Sequence, residues 1–115
     1  MIVQKFLGKH DDETHITLAS LAAEHGLKNS MLKLDIEGSE QDALLGTGDL
    51  QGYTKAVLCC VYHQDDDAFM CESALRDAGY STELTQNYMI FEDTCGWRAY
   101  RRGVVRGKSM PPRRF

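Results

Sequence analysis

Residues 31–40, MLKLDIEGSE, set an apolar, strand-like run directly against a lysine, an aspartate and two glutamates. A buried strand carries charge only where that charge is paired, so the run is either an exposed edge or a strand ending at a working site. Gly38 closes the run and Ser39 stands where a helix cap belongs. The stretch therefore predicts a strand from about Met31 to Ile36, a turn, and a helix over SEQDALLGTGDL in which Ala43, Leu44 and Leu45 face inward.

The flanks extend this alternation. HITLASLAAEHG, residues 15–26, places Ile16, Leu18, Leu21 and Ala22 on one helical face, with Thr17 or Ser20 as cap and Gly26 as stop. KAVLCCVYH, residues 55–63, is a continuous apolar run, the pattern of a strand covered on both faces. DDDAFMCESALRDAGY, residues 65–80, predicts a helix with an inner stripe of Phe69, Met70, Ser73, Ala74 and Leu75. Asp65 to Asp67 lie at its positive end, and Gly79 follows its last turn. STELTQNYMIFED reads as a strand or hairpin with Tyr88 to Phe91 in the core, and RAYRRGVVRG as a final strand. Strands alternating with helices imply right-handed crossovers and a mostly parallel α/β sheet, with helices on both faces and a C-terminal antiparallel hairpin.

Composition bounds the function classes. A chain of 115 residues makes one domain, residues 1–115, and needs no metal or disulfide to fold. No apolar run approaches the roughly 18 residues of a membrane span, and the acidic stretch after MIVQKFLGK argues against a secretion signal, so no membrane partner and a cytoplasmic location are expected. Cys59, Cys60, Cys71 and Cys95 form no C-x-x-C pair and read as reduced, buried thiols. Cys60 with His63 would supply two zinc ligands where a structural site wants four, so no metal site is assigned.

Charge is uneven. Residues 1–97 carry about −11, whereas residues 98–115 hold 7 basic residues and no acid. Such a tail can bind nucleic acid, but with Tyr100 and Phe115 as its aromatics it reads better as a strand and tail lying against an acidic body. Trp97 and Tyr100 with Arg98, Arg101 and Arg102 make either an anion patch or a charged edge that resists aggregation.

In an open parallel sheet, ligands bind beyond the carboxyl ends of the strands. Asp35, Glu37 and His63 fall at that rim and are the candidate catalytic residues, with Glu40 and Asp65 as substrate-rim residues. A histidine or a tuned carboxylate can take a proton there, and Asp35 with Glu37 or Glu40 also offers oxygens to a hard divalent cation. The same side chains have structural readings: Asp35 and Glu40 accepting backbone N–H groups around Gly38, Glu37 pairing with Lys33, and His63 as a satisfied rim residue.

LKLDIEGSEQDALLG, residues 32–46, is similar to the K-[IL]-D-[VI]-E-G-x-E-x-x-x-L-x-G signature of FkbM-type, S-adenosylmethionine-dependent methyltransferases. ITLASLAAEHGL resembles that family's preceding helix, and AVLCCVYHQDDDAFMCESALRDAGY its next strand, rim and helix, so the likeness spans roughly residues 15–92. It implies a partial Rossmann-like methyltransferase sheet. That family's cofactor loop, an acidic, glycine-rich turn after the first strand, falls upstream of the matching segment. S-adenosylmethionine is thus the cofactor the family implies, without its binding loop in this sequence. The expected protein is a truncated or divergent methyltransferase-like domain, not catalytic alone, acting as a binding or interaction module. The alternatives are an active methyltransferase completed by a second chain, and a nucleic-acid binder working through its tail. Loss of the neighbouring strand would orphan one edge of the Met31–Ile36 strand, to be covered by a substitute strand from Ile2, Gln4 and Phe6 or by a homodimer through that edge or a helix face.

Overall fold

The computed structural model describes residues 2–110; the distal part of the basic tail, with Pro111, Pro112 and Phe115, lies outside the described residues. The chain opens with two short parallel strands, β1 (Phe6–Leu7) and β2 (His15–Ile16). Their connection is held by carboxylates. One oxygen of Asp12 accepts the backbone N–H groups of Thr14 and His15 at 2.8 and 2.7 Å, and Asp11 accepts those of Thr17 and the Ser20 hydroxyl at 2.8 and 2.6 Å. These donors, the Thr14 N–H above all, hold the Asp12 carboxyl down at about 2. The N-terminal arm is therefore tied to β2 and does not form the expected substitute strand at the sheet edge.

Of the two cap candidates Thr17 starts α1 (Leu18–His25), which leaves Ile16 in β2 rather than on the helix: the Thr17 hydroxyl accepts the Ser20 N–H, and Gly26 ends the helix at φ 60° with its N–H on the Ala22 carbonyl. Then follow β3 (Ser30–Leu34), α2 (Glu40–Leu45), a 3₁₀ turn (Leu50–Gly52), β4 (Thr54–Cys60), α3 (Asp67–Asp77) and β5 (Tyr80–Leu84). The chain continues as β6 (Tyr88–Glu92), β7 (Arg98–Arg102) and β8 (Val104–Ser109).

The main sheet runs β3-β4-β8-β5. β3 and β4 are parallel, and β8 is antiparallel to both β4 and β5. The sheet is mixed rather than mostly parallel. The reason lies in the connection: no helix separates β5 from β8, so the chain turns back through the β6–β7 hairpin and re-enters from the end it left. A parallel strand would need a crossover of a dozen or more residues. RAYRRGVVRG is accordingly two strands broken at Gly103, and β6 and β7 form an antiparallel hairpin of their own.

Side-chain alternation assigns the two faces of the main sheet. Leu32, Leu34, Val57, Cys59, Val105 and Leu84 point to one side, where Leu18, Ala43, Leu44, Cys71 and Leu75 from all three helices join them in one core. The opposite side carries Met31, Lys33, Ala56, Leu58, Arg106 and Lys108, with Met31 74 % exposed. Helices on both faces were expected; among the described residues they cover one. The outer edge of β3 likewise has no strand beside it among the described residues. With the arm and hairpin projecting, the radius of gyration is 15.2 Å, against about 13 Å for a compact chain of this length.

Three packing expectations are corrected. The inner stripe of α3 is Asp67, Cys71 and Leu75, flanked by Ala68, Ala74 and Ala78, while Phe69 and Met70 face outward. Leu45 is exposed, because the buried face of α2 is Glu40, Ala43 and Leu44, spaced i, i+3 and i+4, and the next residue points off it. Tyr88, Met89 and Ile90 lie exposed on the hairpin instead of in the core. Cys59, Cys60 and Cys71 are buried free thiols, as expected, whereas Cys95 is exposed. Contact with the Cys71 thiol, and then burial, push the Cys59 thiol up, which leaves it inert.

Leu75 is fully buried between α3 and β8, so Leu75→Ala is expected to lower stability by about 2–5 kcal/mol. Phe69→Ala is expected to change it by less than about 0.5 kcal/mol. Urea unfolding of both variants checks the stripe: equal losses would contradict it. Because the folded Asp12 carboxyl titrates at about 2 against an ordinary 3.8, its contribution is full above pH 4 and vanishes as pH falls towards 2. Asp12→Asn should therefore flatten the loss of thermal stability between pH 4 and 2, measured by circular dichroism against the parent chain.

Candidate functional site

Two strand-to-helix turns meet at the carboxyl ends of β3 and β4, and each is held by a buried carboxylate at the start of the next helix. Glu40, fully buried, accepts the N–H of Ile36 at 2.8 Å and of Gly38 at 3.0 Å. Asp67, also fully buried, accepts those of His63 at 3.1 Å and Gln64 at 2.8 Å. Gln41 links the two turns, donating to Asp66 and Asp67 at 2.9 Å each, and Gln64 returns a bond to the Gly38 carbonyl at 3.0 Å. Ser39 occupies the cap position of α2 with no side-chain bond, and Glu40 turns back to the Ile36 and Gly38 N–H groups of the turn before the helix. The turn also places Glu37 at φ 58°, in the left-handed region that a β-carbon disfavours.

His63 sits at the centre of the rim. Its Nε2 lies 3.6 Å from Asp35 Oδ1 and 3.7 Å from Glu37 Oε2, beyond hydrogen-bond range. Its Nδ1 lies 3.1 Å from Glu40 Oε1, near enough for attraction but without the alignment of a hydrogen bond, so this buried nitrogen has no partner. The Tyr62 ring packs tilted against the imidazole, ring centroids 4.3 Å apart and planes at 35°, and its hydroxyl donates to Asp35 at 2.9 Å. That bond to the carboxylate pushes the Tyr62 phenol up to about 12.

The structure thus brings Asp35, Glu37, Glu40 and His63 together. Asp65 points elsewhere: it pairs with Arg101 at 2.9 Å, and Arg101 also donates to the Tyr62 and His63 carbonyls at 3.0 and 3.1 Å. Arg101 therefore clamps the β6–β7 hairpin onto the loop that carries His63. The Trp97 cluster divides by alternation, with Arg98, Tyr100 and Arg102 on one side of β7 and Arg101 on the other. Glu37 approaches His63 and forms no ion pair with Lys33. Tyr62 and Asp67 were not assigned to the site from the sequence. The available signal was adjacency to His63 for Tyr62 and the three-residue spacing Gln64-x-x-Asp67 of a turn held by its helix.

A hollow of about 530 Å³ lies beside the N-terminal arm, lined by Gly8, Lys9, His10, Asp12, His15 and Asp42, and shares none of the rim residues. Asp35, Glu40 and His63 each offer a ligand atom within 4.8 Å of the others. No helix among the described residues is long and apolar enough to cross a membrane. No protein-family model, curated protein or solved structure matches the chain, so the FkbM resemblance stands on residues 33–46 and their flanks.

Removing the Glu40 carboxylate would strand two N–H groups in the turn. Glu40→Ala is expected to cost about 2–4 kcal/mol, and Glu40→Gln, which keeps one acceptor oxygen, about half as much. Thermal unfolding with amide exchange at Ile36 and Gly38 reads this out; unchanged protection in Glu40→Ala would refute the role.

Proposed function

We propose that this chain is a divergent, FkbM-like methyltransferase domain acting as a binding or interaction module, not a catalyst by itself. The observation that carries the reading is the convergence of Asp35, Glu37, Glu40 and His63 beyond the carboxyl ends of two adjacent parallel strands, where open α/β sheets bind ligands. A rim with three carboxylates, an imidazole and a phenol suits a small polar ligand that brings hydrogen-bond donors or positive charge.

The residues present do not make a cradle for S-adenosylmethionine. Such a cradle needs a backbone turn open to close approach, which glycine supplies. Gly38 is the one glycine of the two rim turns, packed at ordinary contact distance against the Gln64 amide and the His63 Cβ, so neither turn is the glycine-rich loop such a cradle uses. No methyl-transfer step is therefore derived through the cofactor.

The bare sheet face and the free edge of β3 favour a second reading, in which another chain, a second copy or a partner, completes the domain. Both are costly to leave in water: an unpaired edge templates pairing, and Met31, Ala56 and Leu58 offer apolar surface. A homodimer is the arrangement proposed.

Titration calorimetry with S-adenosylmethionine and S-adenosylhomocysteine separates the readings. The binding-module reading expects no saturable heat tighter than about 100 μM, roughly −5.5 kcal/mol. Saturable binding below that value would overturn it in favour of a methyltransferase completed by association. Light scattering in the same buffer should give twice the 13.0 kDa chain mass; a monomer at micromolar concentration would remove the dimer.

A further inference from the structure

Beyond any cofactor, the rim has the composition and spacing of a metal site. From the geometry we infer that Asp35, Glu40 and His63 bind one divalent first-row transition ion. The three come from three separate segments: the end of β3, the first turn of α2 and the loop after β4. Their ligand atoms nevertheless lie within 4.8 Å of one another. They are graded in depth, with the Glu40 side chain at 0 % exposure, His63 at 13 % and Asp35 at 40 %, so an ion would rest on a buried floor and keep water on its outer side.

The second observation is independent of that spacing. His63 Nδ1 is buried without a hydrogen-bond partner, 3.1 Å from a Glu40 oxygen already engaged by the Ile36 N–H. Buried polar atoms are nearly always satisfied, and one that is not calls for a partner. Two ligands at right angles, each about 2.1 Å from an ion, stand roughly 3.0 Å apart. The nitrogen and oxygen thus have the separation of a coordination edge, though not the alignment of a hydrogen bond.

The donor set selects the ion. Two carboxylates alone would suit Mg²⁺ or Ca²⁺, whereas an imidazole beside them shifts preference to Mn²⁺, Co²⁺ or Zn²⁺. The supporting contacts are also present: the Tyr62 hydroxyl on Asp35, and the Ile36 and Gly38 N–H groups on Glu40, fix the carboxylates as outer contacts do in metal sites. The inference does not rest on the methyltransferase reading, and its test uses no S-adenosylmethionine.

The probe is Mn²⁺, which avoids the thiols, titrated into the full chain and followed by loss of the free-ion electron paramagnetic resonance signal. One ion per chain is expected, with Mg²⁺ competing weakly. Asp35→Asn, a partly exposed change that keeps an acceptor for Tyr62, should weaken binding by at least about tenfold, and His63→Ala by at least as much. A second readout, the side-chain ¹⁵N resonances of His63 on adding Zn²⁺, should show a ring nitrogen shifted by coordination. No binding by the parent chain, unchanged binding in both folded variants, or an unmoved His63 resonance would overturn the site.

Discussion

Two buried carboxylates, Glu40 and Asp67, govern this fold. Each occupies the first turn of a helix, where the free N–H groups and the helix dipole favour negative charge, and each reaches back to two N–H groups of the turn before it. A buried charge is tolerable only when its oxygens are so engaged. The arrangement fixes the geometry in both directions: it ties each strand end to its helix, and it sets the rotation of the helix about its own axis. Asp67 must point inward, so Cys71 and Leu75, one and two turns on, also point inward, and Phe69 and Met70 are carried to the surface.

That rotation explains why some of the fold was legible in the sequence and some was not. α1 has its apolar residues on one face and a Thr17 hydroxyl to start it, so local signals suffice. In α3, hydrophobicity points to Phe69 and Met70 while an acid takes the core position, a choice visible only once the turn at His63 and Gln64 exists. The direction of β8 was open to a stricter reading, since no segment between Leu84 and Val104 can form a crossover helix. The hairpin residues Tyr88 to Phe91 form a continuous apolar run with strand propensity, but their pairing with β7 forms a separate ribbon off the main sheet. Propensity identified the strand; its distance from the helices decided its exposure.

The site divides along the same line. Asp35, Glu37 and His63 follow from one rule, that parallel strands deliver their carboxyl ends to a common rim, and residues 25 or more apart in sequence meet as it requires. Arg101 follows from no local rule. It reaches the His63 loop because the chain reverses twice after β5, which gives the hairpin one side facing that loop and one facing water. Asp65, read as a rim group from its place in the sequence, serves as the anchor for that arginine.

The hairpin and the rim are therefore mechanically one unit. Arg101 donates to the carbonyls of Tyr62 and His63 while its guanidinium lies 5.4 Å from the Phe91 ring centre, and Phe91 stacks on Tyr62, which packs tilted against His63. A displacement of the hairpin would pull on both the backbone and the ring that orient the imidazole. The outer side of the same ribbon presents Tyr88, Ile90 and Tyr100 to solvent. The ribbon is also held at its base, where the Thr85 hydroxyl accepts the Gly103 and Val104 N–H groups, the Thr85 carbonyl accepts Arg102 and the Gly103 carbonyl accepts the Val61 N–H, so Arg101 is one of several ties between the hairpin and the strand that leads to His63.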